Sequence, residues 1–248
     1  MQNFKNIEKL TDEARKNFLP YAKEMLNIHK DNILSIFIYG SSASGDPMPG
    51  TSGINSTIVF KALGFLQLKD SLRVVDKGIR KRIAAPLFFT PEYINSSLDT
   101  FPLEFLEMKE NNTVIFGEDL LADIEINASH IRFICEEQLK GKLIRIRQAY
   151  LEIGLRSKGI EVLIKESLGS LFPVFRGLLR LKGIKPPVKK EEAIGLLGET
   201  FGIDSNVFMA ILKDKENDEK IGGLKTEAFL SKYIKQIERL AEISDSEV

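Results

Sequence analysis

The chain has one cysteine, Cys135, and two histidines, His29 and His130, in 248 residues. A single cysteine excludes an internal disulfide and any cysteine-based zinc cluster, and it fits a reducing compartment. A histidine metal or catalytic pair would need a cysteine or acid beside it. His29 follows one helical segment and His130 opens another, so both read as helix-end residues. No apolar run approaches the roughly 20 residues that span a bilayer. The opening stretch MQNFKNIEKLTDEARKNF is charged and amphipathic, with no apolar signal core. A soluble, cytoplasmic protein with no membrane partner is the expectation. An excess of charge of either sign is also missing: 35 Lys and Arg balance 35 Asp and Glu. There is therefore no global pull toward nucleic acid or anionic membrane, and nucleic acid is not an expected partner.

What is present is ordinary for a globular protein, with 43% hydrophobic and 28% charged residues. The length suits one large domain or two ordinary ones. Leu10, Ala14, Phe18, Ala22 and Met25 recur at steps of three or four, which predicts a helix up to about His29, started near Thr11. ILSIFIY (33–39) and NSTIVFKA (55–62) read as buried strands. Residues 66–83 have helical period, with Leu68, Leu72, Val75 and Ile79 on one face. APLFFTPEYI reads as a strand and a helix start, with Thr90 as cap and Pro91 in the first turn. FPLEFLEMKENNTVIFGEDLL reads as a strand, a polar turn and a second strand. This order predicts a mixed α/β layer domain. After about Asn127 the pattern is helical: 128–153, 159–181, 189–201, 205–213 and 226–243, with breaks at KPPVKK and KDKENDEKIGG. An all-α bundle is expected there.

The chemistry centres on FIYGSSASGDPMPGTSGINSTIVF (37–60). Gly40 and Ser41 end a buried strand. A glycine there lets a phosphate approach the backbone, and the following turn presents amides. Ser41 and Ser42 add hydroxyls. Phosphoryl transfer then needs carboxylates on a neighbouring strand, because acids at i and i+2 share a face and hold the metals that clamp the reacting oxygens.

Gly40-Ser41, a loop of about ten residues and then Ser52 ahead of an apolar strand resemble the nucleotidyltransferase superfamily typified by DNA polymerase beta and the small bacterial and aminoglycoside nucleotidyltransferases. The resemblance implies a nucleotidyltransferase-like α/β domain over 1–127 with a mixed sheet and flanking helices, and a helical bundle domain over 128–248. It implies nucleotide binding by Gly40, Ser41, Ser42 and Ser52. The family's Ser-Asp-x-Asp places its two metal-binding aspartates at Gly53 and Asn55, and both are replaced. The third carboxylate of the family lies on a later strand, for which FPLEFLEMK is the expected counterpart and Glu104 the residue, with Glu107 second. No arginine shortly precedes His130, so the arginine–histidine motif of HEPN-type ribonucleases is missing.

Gly53 offers no ligand, and the neutral amide of Asn55 is a poor donor for Mg²⁺. Losing both charges removes on the order of several kcal/mol of transition-state stabilisation, at about 1.4 kcal/mol per tenfold in rate. The expectation is a catalytically impaired nucleotidyltransferase-fold protein that binds a nucleotide, a protein partner or another copy of itself. The alternative is an active enzyme moving a nucleoside monophosphate from NTP, with Mg²⁺ held by Glu104 and Asp46. Basic runs at Arg73–Arg82 and at Lys142, Arg145 and Arg147 read as solvated helix faces, since aromatics for base stacking are not interleaved with them.

Overall fold

Strand and helix periods set the first unit. The computed structural model describes residues 4–40, 43, 53–154, 159–217 and 226–246. Two units are distinguished, Met1–Ile126 and Asn127–Val248. In the first, β1 (Ile33–Tyr39) is the apolar run read from the sequence. It pairs antiparallel with β2 (Asn55–Phe60) on one side and β4 (Asn112–Gly117) on the other. β3 (Leu87–Phe89) runs parallel to β2, giving the order β3-β2-β1-β4. Alternate residues of β1 serve two cores. Ile36 and Ile38 pack with Phe18 and Met25 on one face, and Phe37 packs with Val59, Phe105 and Met108 on the other. A strand covered on both faces has no polar side to show, which explains its apolar run, broken only by Ser35, whose buried hydroxyl donates to the Glu118 carbonyl at 2.6 Å.

The helices of this unit are α1 (Asp12–His29), α2 (Phe65–Ile79), α3 (Pro91–Ser96) and α4 (Pro102–Glu110). Thr11 caps α1 by accepting the Ala14 amide at 3.2 Å, and Thr90 caps α3 by accepting the Tyr93 amide at 3.2 Å. Two expectations fail. Residues 102–110 are a helix, not a strand. Pro102 occupies its first turn, and Leu, Glu, Met and Lys are all good helix formers. The apolar face of α2 is the second failure: its buried residues are Ser71, Val74 and Gly78, while Leu68, Leu72 and Ile79 are exposed.

The second unit contains α5 (Ala128–Ile153), α6 (Ile160–Gly169), α7 (Phe172–Leu181), α8 (Lys190–Phe201), α9 (Ser205–Asn217) and α10 (Glu227–Ser246). No strand occurs among its described residues. α5 packs along α10 and α7. Phe172, Phe175, Phe208 and Tyr233 form a chain of ring contacts with centroids 5.8, 5.0 and 5.8 Å apart. The single helix expected over 159–181 is two, because Pro173 fits only a first turn and α7 restarts beside it. The fold class is therefore a mixed four-stranded sheet with flanking helices followed by an all-α region.

Candidate functional site

The end of β1 is where the sequence places its phosphate-binding motif. Gly40 follows Tyr39 with φ of +74°, a conformation that favours glycine, and so turns the chain out of the sheet. Its amide donates to the Asn111 carbonyl at 3.0 Å, and its own carbonyl accepts the Ala43 amide at 2.9 Å. Thr113 Oγ1 then donates to the Ala43 carbonyl at 3.4 Å. The loop root is thus tied to the end of α4 and to β4. The Gly40 amide, expected to face a phosphate, is committed to a backbone partner. Ser41, Ser42, Ser52 and Asp46 lie outside the described residues.

β2 returns alongside β1 with Asn55 opposite Tyr39. The Asn55 Nδ2 lies 3.8 Å from where a Cβ on Gly40 would sit. The structure therefore brings Gly40 and Asn55 together at one end of the sheet. Asn55 shares its sheet face with Thr57 and Val59, and Thr57 Oγ1 lies 3.8 Å from Met108 Sδ of α4. Burial pushes the Tyr39 phenol pKa up, so beside Asn55 it is a neutral group.

Gly53 is confined. The Ile54 amide donates to the Arg82 carbonyl at 2.7 Å, and the Ala84 amide donates to the Ile54 carbonyl at 3.0 Å. This bridges Ile54 to Ile83 in parallel, just before β3. Arg82 holds φ of +61° to make the approach. A Cβ on Gly53 would lie 2.7 Å from the Arg82 carbonyl oxygen and 3.4 Å from the Ala84 nitrogen. Any side chain at this position, an aspartate included, requires the Arg82 backbone to shift.

The segment beside β2 on the side away from β1, RIAAPLFF (82–89), comprises the Ile83 bridge and β3, and it contains no acid. Glu104, expected on a strand, is exposed on α4. Along that helix it lies about 10 Å before Asn111, whereas Glu107 lies about 6 Å before it, at 1.5 Å per residue. Among the described residues no group of three or more His, Cys, Asp or Glu side chains is placed to hold a metal. On β4, on the other side of β1 from β2, Asn112 and Thr113 border a cavity of about 600 Å³ that Lys5, Lys9 and Lys109 line together with Glu118 and Asp119. Lys5 Nζ donates to the Gly117 carbonyl at 2.9 Å and Lys109 Nζ to the Ile124 carbonyl at 2.8 Å, which fixes two of the three ammonium groups.

The remaining singled-out residues sit away from this end of the sheet. His29 is buried and its Nε2 lies 2.8 Å from Ser71 Oγ. His130 lies in the first turn of α5. In the basic run after α2 begins, Lys77 pairs with Glu24 at 3.2 Å and Arg80 with Asp76 at 2.7 Å. Arg147 pairs with Glu238 at 2.6 Å. The closed backbone at Gly53 and the placement of segment 82–89 beside it had no signal in composition or periodicity. The Ile54–Ile83 bridge that creates them joins residues 29 positions apart.

No protein-family model matches the chain, and no curated protein matches it in sequence. Among solved structures it is similar to the spectinomycin adenyltransferase AAD(9) from Enterococcus faecialis, solved with ATP and spectinomycin. The TM-score is 0.53 at 12% identity, over 92% of this chain and 98% of that one. At such identity the likeness concerns the fold, and the fold of this chain is nucleotidyltransferase-like. No helix of the described residues is long and apolar enough to cross a membrane.

Proposed function

We propose that this chain is a nucleotidyltransferase-fold protein that binds a nucleotide without divalent metal and does not transfer it. The single observation that supports this reading is the contact at Gly53, the position to which the resemblance assigns a metal aspartate, where a Cβ would lie 2.7 Å from the Arg82 carbonyl oxygen. The fold family implies Mg²⁺, and the residues present do not suit it. Gly53 has no donor, and a side chain there would have to displace the Arg82 backbone. Asn55 offers a neutral amide oxygen, and the adjoining segment 82–89 has no carboxylate. Three lysines against Glu118 and Asp119 give the cavity beside β4 one net positive charge toward a polyphosphate. That the structural neighbour was solved with ATP makes ATP the first ligand to test.

The test incubates the full chain with ATP labelled at the α-phosphate, with Mg²⁺ or Mn²⁺. It follows label transferred to the protein itself and to hydroxyl or amine acceptors, spectinomycin among them. The expected result is no transfer above a protein-free control, with ATP affinity in calorimetry unchanged by EDTA. Metal-dependent transfer of the nucleoside monophosphate overturns the proposal in favour of an active enzyme. Absence of ATP binding at millimolar concentration overturns it in favour of a protein-partner role.

A further inference from the structure

α2 is turned inside out relative to its own amphipathic pattern. Phe65 is 79% exposed, Leu68 46%, Leu72 65% and Ile79 58%, and Val75 between them is half-buried. Their spacing is three, four, three, four, so they form one stripe along the helix. Single exposed apolar residues are ordinary, but four large ones in one stripe, joined by the half-buried Val75, mark an interaction surface. One edge of the stripe meets the helix's own buried face at Ser71 and Gly78. The other edge carries Lys69 and Asp76.

The geometry points to a second copy of this chain as the occupant, with two α2 helices pairing antiparallel across a two-fold axis at Leu72. Under that symmetry each stripe residue meets another. Phe65 comes level with Ile79 of the second copy and Leu72 with its own counterpart, while Leu68 falls within one residue of Val75, an offset of about 1.5 Å along the helix. Lys69 likewise falls within one residue of Asp76, inside the reach of a lysine side chain, and by symmetry the ion pair forms twice. An isologous interface requires such self-complementarity, and opposite charges at the rim fix the register of the apolar contact. Asp76 already holds Arg80 at 2.7 Å within its own helix. Both side chains are well exposed, and so the carboxylate can serve Lys69 of the other copy as well.

The proposal is independent of nucleotide binding, and the full chain tests it by sedimentation velocity over a range of concentrations. The expected species is a reversible dimer. Leu72→Asp weakens it at least tenfold while circular dichroism and melting stay unchanged, since Leu72 contributes little to its own core. Lys69→Asp alone also weakens the dimer, and Lys69→Asp with Asp76→Lys restores it. Leu72→Cys with a short bis-maleimide yields a covalent dimer, against a background in which buried Cys135 does not react. A wild-type monomer at every concentration overturns the assignment. A dimer indifferent to Leu72→Asp, or a charge-swapped double variant no better than the single, also overturns it.

Discussion

Gly53→Ala is the smallest perturbation of the closed position. The added Cβ would sit 2.7 Å from the Arg82 carbonyl oxygen, so the two backbones must separate by about 0.7 Å to reach ordinary contact. That movement works against two restraints. The same Arg82 oxygen accepts the Ile54 amide at 2.7 Å, and Arg82 is already held at φ of +61°. Overpacking of this kind costs about 1–3 kcal/mol. Replacing glycine returns about 0.4–1 kcal/mol by restricting the unfolded chain, which leaves a net loss of about 1–2 kcal/mol. For a unit of 126 residues the melting entropy is about 0.26 kcal/mol/K, so its transition should fall by about 4–8 °C. Differential scanning calorimetry of the full chain measures this directly. A Gly53→Ala protein as stable as wild type, or more so, would mean that the Arg82 carbonyl yields freely. The argument that no metal ligand fits at this position would then be refuted.

Three further outcomes follow from buried groups and a cap. Ser71 Oγ donates to the Gln67 carbonyl at 2.8 Å, so it must accept from His29, which places the imidazole proton on Nε2. Burial lowers the His29 pKa, against a smaller opposing effect of Asp70, so the unfolded chain takes up the proton first. Stability is complete above about pH 6.5 and is lost as pH falls below it, by at most about 1.4 kcal/mol per pH unit. Urea midpoints of wild type and His29→Gln should therefore diverge less at pH 5.5 than at pH 8, and equal pH slopes would contradict the assignment. The Cys135 thiol is buried, with its pKa pushed up to about 12 by desolvation, and so should label with a disulfide reagent only on unfolding; rapid native labelling would show the core around it to be open. Thr11→Ala should cost about 1 kcal/mol through loss of the α1 cap, read from the same urea midpoints, and an unchanged midpoint would argue that the Ala14 amide finds another acceptor.

Much of the first unit was legible because its elements obey one local rule each. β1 is bounded by Asn32 and Gly40, its residues are apolar and β-branched, and no competing period exists. α1 shows both its cap at Thr11 and its stripe from Ala14 to Met25. The misreadings arise where local pattern and tertiary setting part. In FPLEFLEMK, the apolar–acid–apolar triplet Leu103-Glu104-Phe105 mimics strand alternation. Pro102 and the helix formers after it decide for α4, and with that Glu104 leaves the sheet. The periodicity of α2 located the helix correctly but assigned the apolar stripe to the core, whereas the small residues Ser71 and Gly78 allow the close packing that α1 and Ile83 require. That Gly53 and Asn55 carry no acid was visible in the letters. Its physical counterpart was not, because it depends on a parallel bridge to residues 82–84 that no local signal announces.

The most direct test of a metal-free site is an electron paramagnetic resonance titration of Mn²⁺ into the full chain with a non-hydrolysable ATP analogue. The account predicts that the protein leaves the Mn²⁺–nucleotide signal unchanged, even where calorimetry shows the nucleotide bound. A protein-dependent Mn²⁺ species at micromolar metal, abolished by Asn55→Ala, would contradict it.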